Sequence, residues 1–143
     1  MTISVQNRQR RWRVPTTSLQ EFAERALGLV LRERLRGKSE LAGLTNVDVL
    51  LVSDRRIAEL HEQFMNIPGP TDVITFQHGE IFVSVDTARE NSRRFRTSLE
   101  DELRLYVAHG LLHLHGFDDQ RPTAARTMAA AQKRIVAEAK ERD

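Results

Sequence analysis

The sequence of 143 residues contains no cysteine, and it contains only one tryptophan and one tyrosine. Without thiols the chain has no disulfides, no thiolate metal ligands and no cysteine nucleophile, and such a composition suits a reducing compartment. The N-terminus lacks the apolar segment of a signal peptide, and the longest apolar run, residues 26–31, is far too short to span a bilayer. We therefore expect a cytoplasmic protein with no membrane partner.

The length of the chain corresponds to one domain, which buries enough surface on folding to need no covalent cross-links. No internal repeat, low-complexity segment or linker divides the sequence. We therefore predict a single domain over residues 1–143.

Positive charge is concentrated in arginine, although the formal net charge is only +2. Three clusters recur along the chain: Arg8, Arg10, Arg11 and Arg13; Arg32, Arg34 and Arg36; and Arg89, Arg93, Arg94 and Arg96. Guanidinium groups suit phosphate recognition, so together the clusters favour a nucleic-acid partner. For any single cluster, an ordinary solvated surface is the alternative interpretation.

Hydrophobic periodicity predicts an α/β fold with a mixed sheet flanked by helices. The predicted strands are residues 3–5 with 12–14, 46–53, 72–76 and 80–85, and the last two form an antiparallel hairpin. The predicted helices are residues 18–36, 54–65, 97–116 and 122–140.

Side chains at the starts and ends of these segments predict the helix boundaries. Ser18 and Glu21 have the spacing of a capping box, and Asp54 is expected to cap the second helix. Thr97 or Ser98 is expected to cap the third helix, and Gly116 is expected to end it.

The segment HGLLHLHGFDD, residues 109–119, carries a candidate metal site. His109 and His113 lie one turn apart on one helical face, so both imidazoles can bind one ion. Gly116 lets the chain turn back and brings Asp119 to the position of a third ligand, with the spacing of the metzincin zinc proteases. Three protein ligands leave a fourth position for water, as in catalytic zinc sites. His115 is expected to point elsewhere, either behind the ligands or to the surface.

The residue that follows His109 argues against peptide hydrolysis. In zinc proteases this position is a glutamate that acts as general base, whereas here it is Gly110. A zinc peptidase is therefore the least favoured of the metal-dependent functions, and a chance histidine pair that binds no metal also stays open.

Three ordered motifs resemble the YbeY family of bacterial endoribonucleases. Residues 109–119 are similar to H-G-x-L-H-L-x-G-[YF]-D-H, residues 70–76 (PTDVITF) to P-T-D-V-L-S-F, and residues 79–84 (GEIFVS) to G-D-I-x-I-S. The resemblance covers nearly the whole chain. It implies a four-stranded mixed sheet and one zinc ion held by His109, His113 and the position of Asp119. It also implies a single-strand-type endoribonuclease that acts in ribosomal RNA maturation and ribosome quality control, on or near the small ribosomal subunit.

The chain departs from the family pattern at three positions. Asp119 replaces a histidine, Met65 stands in place of an arginine, and Pro68 stands where an aspartate is frequent. A carboxylate ligand makes a bound water less acidic, and methionine cannot stabilise charge on a phosphate. Met65 in particular favours the alternative of a zinc-containing ribosome- or RNA-binding assembly factor with little catalysis.

No side chain of this motif is a strong base, so the expected nucleophile is a metal-bound water. Arg121 follows Asp119 by two residues. It is the one candidate to stabilise part of the charge on the phosphate in place of the arginine that Met65 replaces. An exposed loop charge is its alternative interpretation.

Overall fold

The computed structural model describes residues 1–35 and 37–140, so the predicted helix end at Arg36 lies outside the described residues. Its strands are β1 (Thr2–Asn7), β2 (Asn46–Val52), β3 (Val73–Phe76) and β4 (Glu80–Ser84). Its helices are α1 (Thr16–Leu31), α2 (Asp54–Met65), α3 (Val85–Phe95), α4 (Leu99–His115) and α5 (Pro122–Lys140). The α/β fold that the sequence predicts is confirmed.

The four strands form one mixed sheet in the order β1-β2-β4-β3. β1, β2 and β4 are parallel, and β3 pairs antiparallel with β4 through the predicted hairpin. Gly79 makes this turn possible, because its φ of +112° is unfavourable for other residues and an added Cβ would lie 2.8 Å from the carbonyl oxygen of Asn46. Because β1, β2 and β4 are parallel, their carboxyl ends meet at one edge of the sheet.

Alternation along the strands divides the core between the two faces of the sheet. Ile81 and Val83 of β4 face the larger core, which α1, α3, α4 and α5 cover. Phe82 faces the other side, where α2 covers a smaller cluster with Ile57 and Leu60. The helix after β1 and the helix after β2 consequently lie on opposite faces of the sheet.

The N-terminal predictions are correct only in part. The strand at residues 3–5 is confirmed as β1, but residues 12–14 form a loop, because the Gln9 side chain bonds both the backbone N–H and the carbonyl of Trp12. The predicted capping box is wrong: α1 begins at Thr16, and Ser18 instead donates to Glu100 of α4 at 2.6 Å. The helix also ends at Leu31, five residues earlier than predicted.

Serine hydroxyls cap the N-termini of α2, α3 and α4. The hydroxyl of Ser53, and not the side chain of Asp54, accepts the N–H of Arg56 at the start of α2, and Ser98 caps α4. Ser84 caps α3, a helix that the sequence pattern does not indicate because the apolar run of residues 80–85 reads as one strand. In the described ranges, none of the helices combines the length and the hydropathy needed to cross a membrane.

Candidate metal centre

Helix α4 lies very close to the sheet where it carries the candidate ligands. An added Cβ at Gly110 would lie 2.7 Å from Cγ2 of Ile81, which is closer than side-chain atoms pack. Position 110 therefore faces β4, while position 109 points about 100° away around the helix. A glutamate at Gly110 would collide with the sheet, and glycine supplies no general base, which is a structural reason against the peptidase mechanism.

His109 and Asp119 face each other across the chain reversal that follows α4. Nε2 of His109 lies 3.9 Å from Oδ2 of Asp119, and both side chains are partly exposed. The reversal depends on Gly116, whose φ is +122° and whose N–H closes the last turn by bonding the carbonyls of Leu112 and His113. The predicted helix stop is confirmed, and it brings the third candidate ligand back to the first.

The other ring nitrogen of His109 is held by α5. Nδ1 lies 2.9 Å from Oε1 of Gln132, which accepts the hydrogen bond when the Nδ1 position carries the proton. This tautomer leaves the lone pair of Nε2 directed towards Asp119. Metal-binding histidines commonly have such a partner on the nitrogen that does not bind the ion.

His113 is exposed on the next turn of α4 and is not brought together with the other two residues. Within residues 1–35 and 37–140, no three histidine, aspartate or glutamate side chains lie close enough to hold an ion. The structure thus brings His109 and Asp119 together, and His113 shares the helical face of His109 by its i, i+4 spacing.

The donor set fits zinc in its chemistry. Two imidazoles and one carboxylate are all accepted zinc ligands, at about 2.0–2.2 Å from the ion. At those lengths two ligands of a tetrahedral ion lie about 3.4 Å apart, so the gap between His109 and Asp119 is within about half an ångström of that separation. An exposed side chain such as His113 changes rotamer on the picosecond-to-nanosecond timescale, so its present orientation is no barrier.

His115 points away from the candidate ligands, as expected, but it does not lie on the surface. It is buried, with Nδ1 2.7 Å from the Ser39 hydroxyl and Nε2 2.9 Å from the carbonyl oxygen of Glu33. The imidazole therefore fixes the loop after α1 against the end of α4 and has a structural role.

Met65 and Arg121 are both exposed, Met65 at the end of α2 and Arg121 directly before α5. Met65 is the last residue of α2 and is 43% exposed. Arg121 is exposed, and its carbonyl oxygen accepts the N–H of Ala125 in the first turn of α5. The Arg121 side chain forms no ion pair within the described part of the chain, and Met65 carries no charge.

Gln132 is a residue of this site that no sequence motif indicates. It lies 23 residues after His109, in a helix whose pattern indicated only an amphipathic surface. No spacing rule connects the two positions, because the contact depends on how α5 packs across α4.

The fold and the site together define an α/β protein with a candidate metal centre on the helix that packs against its sheet. A model of the family described as Endoribonuclease YbeY matches residues 4–140. The chain belongs to the YbeY family.

Individual relatives agree with this assignment. An Endoribonuclease YbeY of Anaeromyxobacter is 35% identical over 135 residues, which cover 85% of this chain and 70% of the relative. One from Thermotoga maritima is 39% identical over 117 residues, which cover 76% and 77% of the two chains. A solution structure of a Thermotoga maritima protein matches 96% of this chain and 88% of its own, with a TM-score of 0.66 and 31% identity.

Proposed function

We propose that this chain is a metal-dependent endoribonuclease that cuts single-stranded RNA, with a zinc ion held by His109, His113 and Asp119. Its membership of a family described as Endoribonuclease YbeY gives it the activity of a hydrolase that acts on RNA. The observation that carries the assignment of the site is the approach of His109 Nε2 to Asp119 Oδ2, with His109 Nδ1 held by Gln132.

Each side chain has a distinct part in the proposed mechanism. A bound zinc ion would act as a Lewis acid and supply a water nucleophile near neutral pH. Gln132 holds the His109 ring so that Nε2 is available, and Asp119 adds a negative charge that offsets part of the ion's positive charge. Since Gly110 faces the sheet, no side chain at that position removes a proton.

A narrower proposal concerns the kind of RNA that is cut and the place in the cell where this happens. We propose that the RNA is ribosomal, that the chain works on or near the small ribosomal subunit in the cytoplasm, and that residues 1–143 act as one domain. Support comes from the motifs of residues 70–76, 79–84 and 109–119, which resemble those of the family along nearly the whole chain.

The test is metal content and RNA cleavage measured on the same purified preparations, made without a histidine tag. Wild type is expected to hold one zinc per chain and to cleave single-stranded RNA, and His113→Ala is expected to lose both. Asp119→His and Met65→Arg should each raise cleavage, because they restore a neutral ligand and a phosphate-binding cation. Equal cleavage by wild type and His113→Ala would contradict the proposal.

A second function, an RNA-binding assembly factor that has little catalysis, is favoured by one observation. The exposed Met65 leaves the end of α2 without the cation expected beside a scissile phosphate. Stoichiometric zinc and tight RNA binding without cleavage in wild type, with cleavage gained in Met65→Arg, would support this second function.

A further inference from the structure

A cavity of about 390 Å³ opens at the carboxyl edge of the parallel strands, away from the candidate metal ligands. Its walls come from the segments that follow β1, β2 and β4, and include Trp12, Asp54 and Asp86. The helices after the adjacent strands β1 and β2 lie on opposite faces of the sheet. In open α/β sheets, ligands bind in the crevice that such a divergence creates.

Two arginines from distant parts of the chain stack on the single tryptophan of the protein here. The guanidinium carbons of Arg11 and Arg89 lie 4.9 and 4.8 Å from the centre of the Trp12 ring. The ring is itself fixed by a 2.7 Å hydrogen bond from Nε1 to Asp86. Stacking orients a guanidinium plane and leaves its N–H edge free to bind a planar or tetrahedral anion.

The two aspartates of the cavity are committed to hydrogen bonds within the protein. Asp54 accepts from the hydroxyls of Ser84 and Thr87 at 2.5 and 2.6 Å. Asp86 accepts the backbone N–H of Asp54 at 2.8 Å in addition to the Trp12 indole. Both oxygens of Asp86 and Oδ1 of Asp54 are therefore occupied, and Glu90 is the exposed carboxylate of the cavity.

Arg89 and Arg93 lie one turn apart on α3 and lack such partners. Nε of Arg89 is shielded from solvent and has no hydrogen-bond partner among the described residues. Within the same part of the chain neither guanidinium forms an ion pair, whereas Arg11 lies 3.5 Å from Asp86. A shielded donor without an acceptor is costly, so this position favours an anionic ligand.

We propose that this cavity binds a backbone phosphate of single-stranded RNA through Arg89 and Arg93, with Arg11 and Trp12 forming its wall. The inference rests on the proposed RNA substrate and adds a second contact to it. Helix α4 runs from this edge of the sheet, where Ser18 meets Glu100, towards the opposite edge, where Gly116 approaches Leu35. The site therefore holds RNA at a distance from the bond that is cut.

Because Trp12 is the only tryptophan, its intrinsic fluorescence reports directly on this cavity. The full chain is titrated with single-stranded RNA, whose integrity is checked on a gel, and separately with inorganic phosphate. RNA is expected to change the emission of Trp12 in a salt-dependent manner. Arg89→Gln combined with Arg93→Gln should weaken RNA binding about tenfold and reduce the slope of log K against log salt by about 1 to 2.

Arg94→Gln is the matched control, since it removes the same charge from an exposed position on α3 outside the cavity. It should weaken binding less than about twofold, and Glu90→Gln should strengthen binding. If the double variant is not folded, the RNA affinity of Arg93→Gln alone is compared with that of Arg94→Gln.

Three results would overturn the proposed phosphate site. They are RNA binding without a change in Trp12 emission, equal affinities of the arginine variants and the control, and a response to inorganic phosphate but not to RNA. If the wild type cleaves RNA and the arginine variants bind RNA as well as the wild type does, the phosphate site is rejected and the proposed catalysis is not. If the wild type does not cleave RNA but the arginine variants lose RNA binding, the proposed catalysis is rejected and the phosphate site is not.

Discussion

Gln132 determines which nitrogen of His109 is directed towards Asp119. Its amide oxygen accepts a hydrogen bond only from a protonated Nδ1, which leaves Nε2 as the donor atom for an ion. Partners of this kind raise metal affinity by fixing the tautomer and the ring orientation.

We expect Gln132→Leu to lower zinc affinity about 10- to 100-fold, because the His109 ring loses its fixed orientation. Gln132→Glu keeps an acceptor at the same position and should preserve or raise the affinity. Competition against a chromogenic chelator measures both variants without reference to RNA cleavage. Equal affinities of wild type and Gln132→Leu would show that the glutamine does not position the ligand.

Tyr106 is a second residue whose surroundings make a measurable prediction. Burial raises the pKa of Tyr106 to about 12, and the negative charges of Glu102 and Asp72 act in the same direction. A hydrogen bond of 2.7 Å from the Asn91 amide opposes this shift but does not cancel it.

The folded chain therefore holds the phenol proton at a pH where the unfolded chain has lost it. Stability is expected to fall as pH rises from about 10, the pKa of a free tyrosine, to about 12. Since Tyr106 is the only tyrosine, the phenolate absorbance follows its titration directly. A midpoint near 10 in the folded protein would contradict the burial of this hydroxyl.

At the level of elements, the contact between α4 and β4 holds the candidate ligands against the sheet. Gly110→Ala places a methyl group 2.7 Å from Ile81, and we expect a loss of about 1–3 kcal/mol in the free energy of unfolding. Urea denaturation measures this change.

Gly28→Ala is the control for the helical propensity of alanine. Gly28 lies inside α1, and an added Cβ there meets nothing within 4 Å. This substitution should stabilise the protein by about 0.5–1 kcal/mol. Opposite signs for the two variants separate the packing of α4 from propensity, and a stabilising Gly110→Ala would refute the close approach.

The helices also show which element boundaries a local sequence pattern predicts and which it does not. The α5 segment was predicted at its observed bounds, Pro122–Lys140, because its apolar spacing and its flanks agree. The capping box at Ser18 failed because Glu100 of another helix binds its hydroxyl. Helix α3 was missed because the apolar run of β4 continues into Val85, the first residue of the helix.

For the whole molecule, zinc binding should couple the end of α4, the loop to Asp119 and α5 into one more stable unit. A ligand that binds only the folded state stabilises it by about 2.7 kcal/mol at 100 times its Kd. We expect added zinc to raise the unfolding temperature of metal-free wild type.

His113→Ala is expected to lose this increase, since it removes one of the three proposed ligands. His61→Ala is a matched control, because His61 is on α2 and bonds the carbonyl oxygen of Gly69 at 2.9 Å. An equal zinc response of wild type and His113→Ala would remove His113 from the ligand set.

The sequence by itself determined the α/β class, the mixed sheet, the three motifs and the candidate ligands, because these depend on periodicity and spacing within short segments. Only the tertiary structure decided what depends on packing between distant segments. It directed Gly110 into β4, placed Gln132 beside His109, and brought Arg89 onto Trp12. Such contacts join residues 23 to 77 positions apart, and no local pattern specifies them because they arise from how α3, α4 and α5 are placed around one sheet.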